Sequence, residues 1–285
     1  MISVIIPTYN RASVLSKTLP SYINQKNVDE IIIVDDNGTD NTFEVIEDFI
    51  NHYKEEQISI RYIRHSRHKG AAEVRLTGIT EAKNRYVVFG EDDVIFDTNY
   101  VQALYDDMEE TNADIIGGRI ILLKDGESYD GGIRRYNELE MPVMDYSNLW
   151  GNFGVNVPGP AEVPFVHACF LAKKEIYSEI TYDTNFPGNG YREETDPQIS
   201  ALKIGKKIIY TPNAICYHLP RSMTSTGGQR MNALRYGYWT IRNNIYFLKK
   251  HYSFLAHKYE LNSYNSMVLD TVLHPFRRML IRMRR

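Results

Sequence analysis

The sequence predicts an α/β fold, a mostly parallel sheet flanked by helices and followed by a C-terminal helical extension. Apolar runs of strand length alternate with helical patterns from Val4 to Phe89. Such alternation implies parallel strands covered on both faces. The polar segments that follow the first, second and fourth of these strands all fall at one edge, the carboxyl edge where open sheets bind ligands.

Val4-Ile5-Ile6 is the first strand, Pro7 to Arg11 a loop, and Leu15, Leu19, Tyr22 and Ile23 mark the first helix. The run from Glu30 to Val34 is the second strand, Asp35-Asp36-Asn37-Gly38-Thr39-Asp40 a polar turn, and Phe43, Val45, Ile46, Phe49 and Ile50 the next helix. Asp40 or Asn41 fits a helix N-cap. Ile58 to Ile63 reads as a third strand and Gly70 to Ala82 as a third helix. Tyr86 to Phe89 is a fourth strand that runs into Glu91-Asp92-Asp93. Beyond it, Tyr100 to Met108 is helical, Asp114 to Leu123 a strand, and the Gly- and Pro-rich stretch 126–164 irregular, the expected source of a second binding site. Val163 to Ala172, a helix over Asp196 to Ile204, and a strand at Ile208-Ile209-Tyr210 lead to Cys216-Tyr217-His218; from Met231 the pattern is helical. The expected units are 1–99 and 100–229, two halves of one domain, and an extension over 230–285.

Composition is that of a globular chain, 285 residues with 43% hydrophobic and 24% charged, which excludes disordered and collagen-like classes. No run approaches the ~20 apolar residues that span a bilayer, and MISVIIPTYN lacks the features of a signal peptide, so the expected location is cytoplasmic. Cys169 and Cys216 sit in apolar runs and read as reduced core residues. From Arg230 onward eleven Lys/Arg face only Glu260 and Asp270, a local charge of +9 that leaves −12 for the first 229 residues. An acidic body argues against nucleic acid as a partner. Val268, Val272, Phe276, Met279, Leu280 and Met283 keep helical spacing among five arginines, the pattern of an amphipathic helix on an anionic membrane through 268–285. The plainer alternative packs that face on the body or on a second subunit, as in a homodimer.

Adjacent carboxylates after a buried strand are hard oxygen ligands on a rigid edge, which Mg²⁺ or Mn²⁺ on a diphosphate requires. An isolated Glu-Asp-Asp triplet is more often a solvated turn at a helix start. The weight comes from its neighbours on the same edge, Asp35-Asp36 and Pro7 to Arg11. Glu193-Glu194-Thr195-Asp196 offers three candidates for the general base that an acceptor hydroxyl needs, and Asp196 also fits a cap on a helix opening at Pro197. Arg221, in the segment from Pro220 to Gly228, offers a cation on a loop able to close over a diphosphate, or a plain connector to the last helices.

Five segments in this order, SVIIPTYNR (3–11), VDDNGTDNT (34–42), HKGAAEVRLTGI (68–79), GEDDVIF (90–96) and GYREETDPQISALKIGKKIIYTPNAICYHL (190–219), resemble the family 2 glycosyltransferases of GT-A fold. The resemblance implies an inverting transfer from a nucleotide-diphosphate sugar, a UDP-sugar favoured, to a glycan or lipid-linked acceptor, with Mn²⁺ or Mg²⁺. It implies that Pro7, Tyr9, Arg11 and Arg75 line the nucleotide pocket, that Asp36 contacts the base and Asp92 the ribose, and that Asp93 binds metal. His218 matches a histidine that completes the metal site in some members; a lone histidine is otherwise as often structural. Glu91 stands where many members have Asp. The family's acidic pair aligns with Glu193 and Glu194, which makes Glu194 the expected base and Asp196 the reserve. The transmembrane helices and QXXRW motif of the processive synthases are missing from the sequence. Two rivals are a nucleotidyltransferase, for which Pro7 to Arg11 lacks the Gly-rich basic loop, and a silent sugar-nucleotide-binding module, which has no use for the acids at 193–196.

Overall fold

The structure, a computed structural model, describes residues 1–55, 58–224 and 231–283, and of the last ten of these the backbone only. Four βα units open the chain: β1 (Ile2–Thr8), α1 (Ala12–Ile23), β2 (Val28–Asp35), α2 (Thr42–His52), β3 (Ser59–Arg64), α3 (Ala71–Glu81), then β4 (Tyr86–Phe89), a short β5 (Val94–Phe96) and α4 (Tyr100–Thr111). The middle holds β6 (Ile115–Leu122), α5 (Tyr129–Asn137), the two-residue strands β7 (Met144–Asp145), β8 (Trp150–Gly151) and β9 (Ala161–Glu162), and β10 (Phe170–Lys173). A 3₁₀ turn, α6 (Thr195–Lys203), β11 (Ile208–His218), α7 (Ala233–Lys258) and α8 (Tyr264–Met283) complete it.

Among the described residues one sheet runs β3-β2-β1-β4-β10-β6-β11-β5, with β9 also on β11. Strands β1 to β4 are mutually parallel, as are β6 and β11, while β10, β5 and β9 run against their neighbours. The mostly parallel α/β expectation holds. The two-residue period of the strands builds a core on each face. Val4 and Ile6 pack with Leu15 and Leu19 of α1, Ile46 of α2 and Leu104 of α4. Ile5, between them, packs the other way with Val74 and Ile79 of α3, and that second core takes in α6, Phe247 and Leu248 of α7, and Met267 of α8.

Several elements differ from the expectation. α5 lies inside the stretch expected to be irregular; Gly131 and Gly132 weaken its helical signal, and the Ser128 hydroxyl caps it by accepting from Gly131 N at 3.1 Å. The segments at 208–210 and 216–218 are one strand, interrupted where the register with β6 shifts between Tyr210 and Ile215 around Pro212, which has no N–H for the ladder. Asn41 holds the N-cap position of α2 without a side-chain cap bond, and the Asp40 carboxylate before it accepts from the first N–H of two helices, Ala12 N at 2.8 Å and Thr42 N at 3.3 Å. α8 begins at Tyr264 and runs through Pro275. Its first half packs on the body: Met267 and Thr271 are buried, Val268 joins the core, and Asn244 Nδ2 donates to Thr271 Oγ1 at 2.7 Å. The expected apolar face at Phe276, Met279, Leu280 and Met283 and the final arginines lie outside the described side chains. Among the described residues, no helix is long and apolar enough to cross a membrane.

The seat of α3 is set by Gly78, where an added Cβ would fall 2.2 Å from Ile5 Cγ2. Gly78→Ala gains helix propensity but overpacks this contact, so it lowers stability by about 1–3 kcal/mol. Urea unfolding measures this; unchanged stability would mean that α3 stands off the sheet.

Candidate active site

The carboxyl ends of β1, β2, β4 and β11 open onto one cleft of about 690 Å³, closed from the side by α3 and the turn that leads into α6. Asp36, buried after β2, works as a fastener. Its carboxylate accepts from Lys69 N at 2.8 Å and Gly70 N at 2.7 Å, and meets His65 Nδ1 at 3.0 Å and His68 Nδ1 at 2.8 Å. Gly70, at φ 95°, then starts α3. Asp36 thereby fixes where the helix carrying Arg75 begins, and His68, which it holds, stands 4.6 Å from the Tyr9 ring, centroid to centroid. Asp35 is a turn former, accepting from Gly38 N and the Tyr62 hydroxyl.

The acidic triplet is brought to His218 by β5, the strand that the sequence did not reveal. β5 pairs antiparallel with the end of β11, Val94 opposite His218, and Leu219 N donates to Asp93 O at 2.9 Å. Asp93 Oδ1 therefore lies 3.7 Å from His218 Nε2. His218 Nδ1 is 2.8 Å from Leu219 O, an acceptor only, so Nδ1 carries a proton and Nε2 is the nitrogen that faces Asp93. On the other side Arg11 Nη1 reaches Asp92 Oδ1 at 3.0 Å and contacts Asp93 Oδ2. Burial pushes Asp92 up to about 7, with Arg11 opposing and Asp93 adding to the rise.

Arg75 is the junction of the cleft. Its guanidinium is buried, 3.5 Å from Glu91 Oε1 and 3.3 Å from Glu193 Oε1. Burial acts against its charge, but Glu193 and then Glu91 hold its pKa above the ordinary value. Burial pushes Glu193 up to about 7 against the pull of Arg75. The turn that presents Glu193 and Glu194 runs through the left-handed region at Gly188 and Gly190, φ 75° and 63°, which glycine adopts freely, and at Arg192, φ 72°, where a side chain makes it strained. Arg192 is held there by α7, its Nε donating to Asn244 Oδ1 at 3.0 Å.

Pro7, Tyr9, Arg11, Asp36, Arg75, Asp92, Asp93, Glu193, Glu194, His218 and Arg221 all line the cleft. Asp196 does not. It is fully buried in the first turn of α6, with Lys250 Nζ on Oδ2 at 2.8 Å and His251 Nε2 on Oδ1 at 2.7 Å, so this reserve base is an anchor between α6 and α7. Nor is it a cap before Pro197, because α6 starts at Thr195. Gly227 and Gly228 of the expected closing loop lie outside the described residues. The pairings of Arg75 and Arg11 join residues far apart in the chain, and no local pattern announces them. Cys169 and Cys216 are free and buried, with potential ligand atoms within 4.8 Å of one another and of His167. Both His167 nitrogens are taken, Nε2 by Gly118 O at 3.0 Å and Nδ1 by Cys169 N at 3.2 Å, so the cluster packs as core.

The pattern described as Glycosyl transferase family 2 matches residues 3–181. The chain belongs to this family. Glycosyltransferase GlyG of Streptococcus pneumoniae serotype 4 (strain ATCC BAA-334 / TIGR4) is 32% identical to it over 227 residues, 76% of this chain and 70% of GlyG. Poly(ribitol-phosphate) beta-N-acetylglucosaminyltransferase TarP of Staphylococcus aureus (strain N315) is 31% identical over 151 residues, 51% of this chain and 45% of TarP. Among solved structures, S. aureus TarS 1–349 superposes with a TM-score of 0.58 at 14% identity, covering 96% of this chain and 71% of that one. Mannosyltransferase PcManGT from Pyrobaculum calidifontis, in complex with GDP-Man and Mn²⁺, gives 0.60 at 15% identity, covering 87% and 63%. At such identities the likeness speaks for the GT-A fold.

The donor atoms of this family 2 glycosyltransferase fit a divalent ion. A carboxylate oxygen and an imidazole nitrogen 3.7 Å apart, with His218 oriented by a backbone carbonyl, are donors that would hold one divalent cation between them.

His167, whose pKa burial lowers from 6.5 to about 4, supplies a pH test. Its neutral ring contributes stability above about pH 6.5 that is lost as pH falls through 4, because only the unfolded chain is protonated in that window. Urea unfolding should show wild type losing more stability than His167→Gln across this interval. Parallel slopes would contradict a neutral, buried imidazole.

Proposed function

We propose that this glycosyltransferase moves a sugar, with inversion, from a UDP-sugar to a hydroxyl of a glycan or lipid-linked acceptor, using Mn²⁺ or Mg²⁺. The observation that carries the reading is the Asp93–His218 pair, 3.7 Å apart, in the same cleft as the carboxylate of Glu194. TarS has been solved with UDP and with UDP-GlcNAc, which supports a uridine nucleotide as donor. Relatives of this chain include a poly(ribitol-phosphate) beta-N-acetylglucosaminyltransferase, a chondroitin synthase and a minor teichoic acid biosynthesis protein, which supports an acceptor of that broad kind.

The donor's nucleotide lies against Pro7, Tyr9 and Arg11, with His68 beside the Tyr9 ring. Asp36 acts through the backbone of Lys69 and Gly70, since its oxygens are already taken. Asp92 turns to the ribose. Asp93 and His218 would hold the ion, which when bound neutralises charge on the departing diphosphate. One imidazole beside a carboxylate suits Mn²⁺ better than Mg²⁺, which prefers an all-oxygen shell. Arg221, at the rim, adds positive charge on the same side.

Glu194 takes the proton of the acceptor hydroxyl as it attacks the anomeric carbon. Glu193 is excluded from this role because Arg75 and its burial hold it in place. Glu194 is the more open of the two and stands at the head of α6, so its carboxylate is available to a hydroxyl. A single displacement inverts the configuration. In this reading residues 1–99 bind the donor, 100–229 the acceptor, and 230–285 is the extension; contact with an anionic membrane through 268–285 rests on the sequence pattern of that helix.

Release of UDP from a panel of UDP-sugars with Mn²⁺ tests the proposal. Asp93→Asn should abolish metal-dependent turnover with the fold intact by circular dichroism, and near-normal turnover would remove the metal assignment. Glu194→Gln should lower kcat by about 10²- to 10⁴-fold while UDP binding persists. If Glu194→Gln keeps its kcat, another group is the base.

A further inference from the structure

Helix α7 has two surfaces. Its second half is core, with Phe247, Leu248 and Leu255 buried and Lys250 and His251 locked onto Asp196. Its first turns stand clear of the body: Leu234, Tyr236 and Tyr238 are 88%, 46% and 61% exposed. One face of those turns is nevertheless bolted to the wall that presents Glu193 and Glu194. The Trp239 indole lies on Gly188, where a Cβ would come within 2.2 Å of the ring. Asn189 Nδ2 donates to Thr240 Oγ1 at 2.7 Å, and Asn243 Nδ2 to Pro187 O at 2.8 Å.

Tyr236 belongs to this face, one turn before Thr240. It lines the cleft, yet its ring makes no ring contact and its hydroxyl no hydrogen bond among the described residues. A half-exposed phenol placed by so many fixed contacts is a preorganised surface without a partner.

We propose that Tyr236 is the stacking platform of an acceptor subsite for a pyranose ring of a saccharide, with the turn from Asn189 to Tyr191 beside it. This inference rests on the glycosyltransferase reading above. The chemistry matches: a pyranose offers a patch of C–H bonds to the electron-rich face of an aromatic ring. The position matches too. Asn189 and Glu194 are five residues apart, a separation of at most about 18 Å even in extended chain, so a short oligosaccharide on Tyr236 reaches the base. A bilayer or a second copy of the chain would favour the outward side of the helix, at Leu234 and Tyr238, over the ring turned into the cleft.

Saturation-transfer NMR on the full chain with UDP and Mg²⁺, using β-linked trisaccharides of glucose, galactose and N-acetylglucosamine as probes, tests this. At least one trisaccharide should bind wild type and Tyr236→Phe alike, and bind Tyr236→Ala about fivefold to tenfold more weakly, with unchanged melting temperature and UDP affinity. No binding of any trisaccharide to wild type, or equal binding to Tyr236→Ala, overturns the assignment. Joint loss of UDP and trisaccharide in Tyr236→Ala also overturns it, by placing the ring on the donor side. Failure of wild type to bind UDP is a separate outcome, which defeats the transferase reading itself.

Discussion

A buried guanidinium holds the cleft together. Arg75 comes from α3 and meets Glu91, which follows β4, and Glu193, which precedes α6. Glu91 precedes the acids of the proposed metal site and Glu193 precedes the proposed base Glu194, so Arg75 ties together the two segments that carry them. Burying such a junction is costly, and removing one partner from a buried ion pair typically costs about 3–5 kcal/mol because the other charge is left unpaired. Its geometry is itself dictated from below, by Asp36 at the start of α3 and by Gly78 pressed on Ile5.

The electrostatics of the cleft follow from that packing. Glu91, Asp92, Asp93, Glu193 and Glu194 share a cleft with four arginines, the buried Arg75 and Arg192, the half-buried Arg11 and the exposed Arg221. Burial pushes Asp92 and Glu193 up to about 7, and the neighbouring carboxylates add to the rise against the pull of Arg11 and Arg75. A site in this condition gains from an added cation. A divalent ion that arrives with a diphosphate satisfies the acids and the phosphates at once, and the charges are in position before the reaction begins.

The sequence revealed the four opening βα units because strands buried on both faces read as unbroken apolar runs and the helices between them keep an apolar stripe. The loops at their ends were legible for the same reason: a strand that stops at Phe89 must deliver Glu91, Asp92 and Asp93 to the sheet edge. β5 was not legible, since three residues after an acidic turn carry no period. Gly131 and Gly132 masked α5 in the same way. Asp196 shows a different limit. Its spacing from Glu194 fits a catalytic acid, and only the contacts from Lys250 and His251, more than fifty residues away, turn it into an anchor.

The central claim is that the cleft is completed by a metal ion and a uridine diphosphate together. Calorimetric titration of UDP into the protein, with Mn²⁺ or with a chelator, tests it most directly. The account predicts binding that requires the metal and is lost in His218→Ala while Asn262→Ala, remote from the cleft, binds normally. UDP binding of equal strength with metal and with chelator would contradict it.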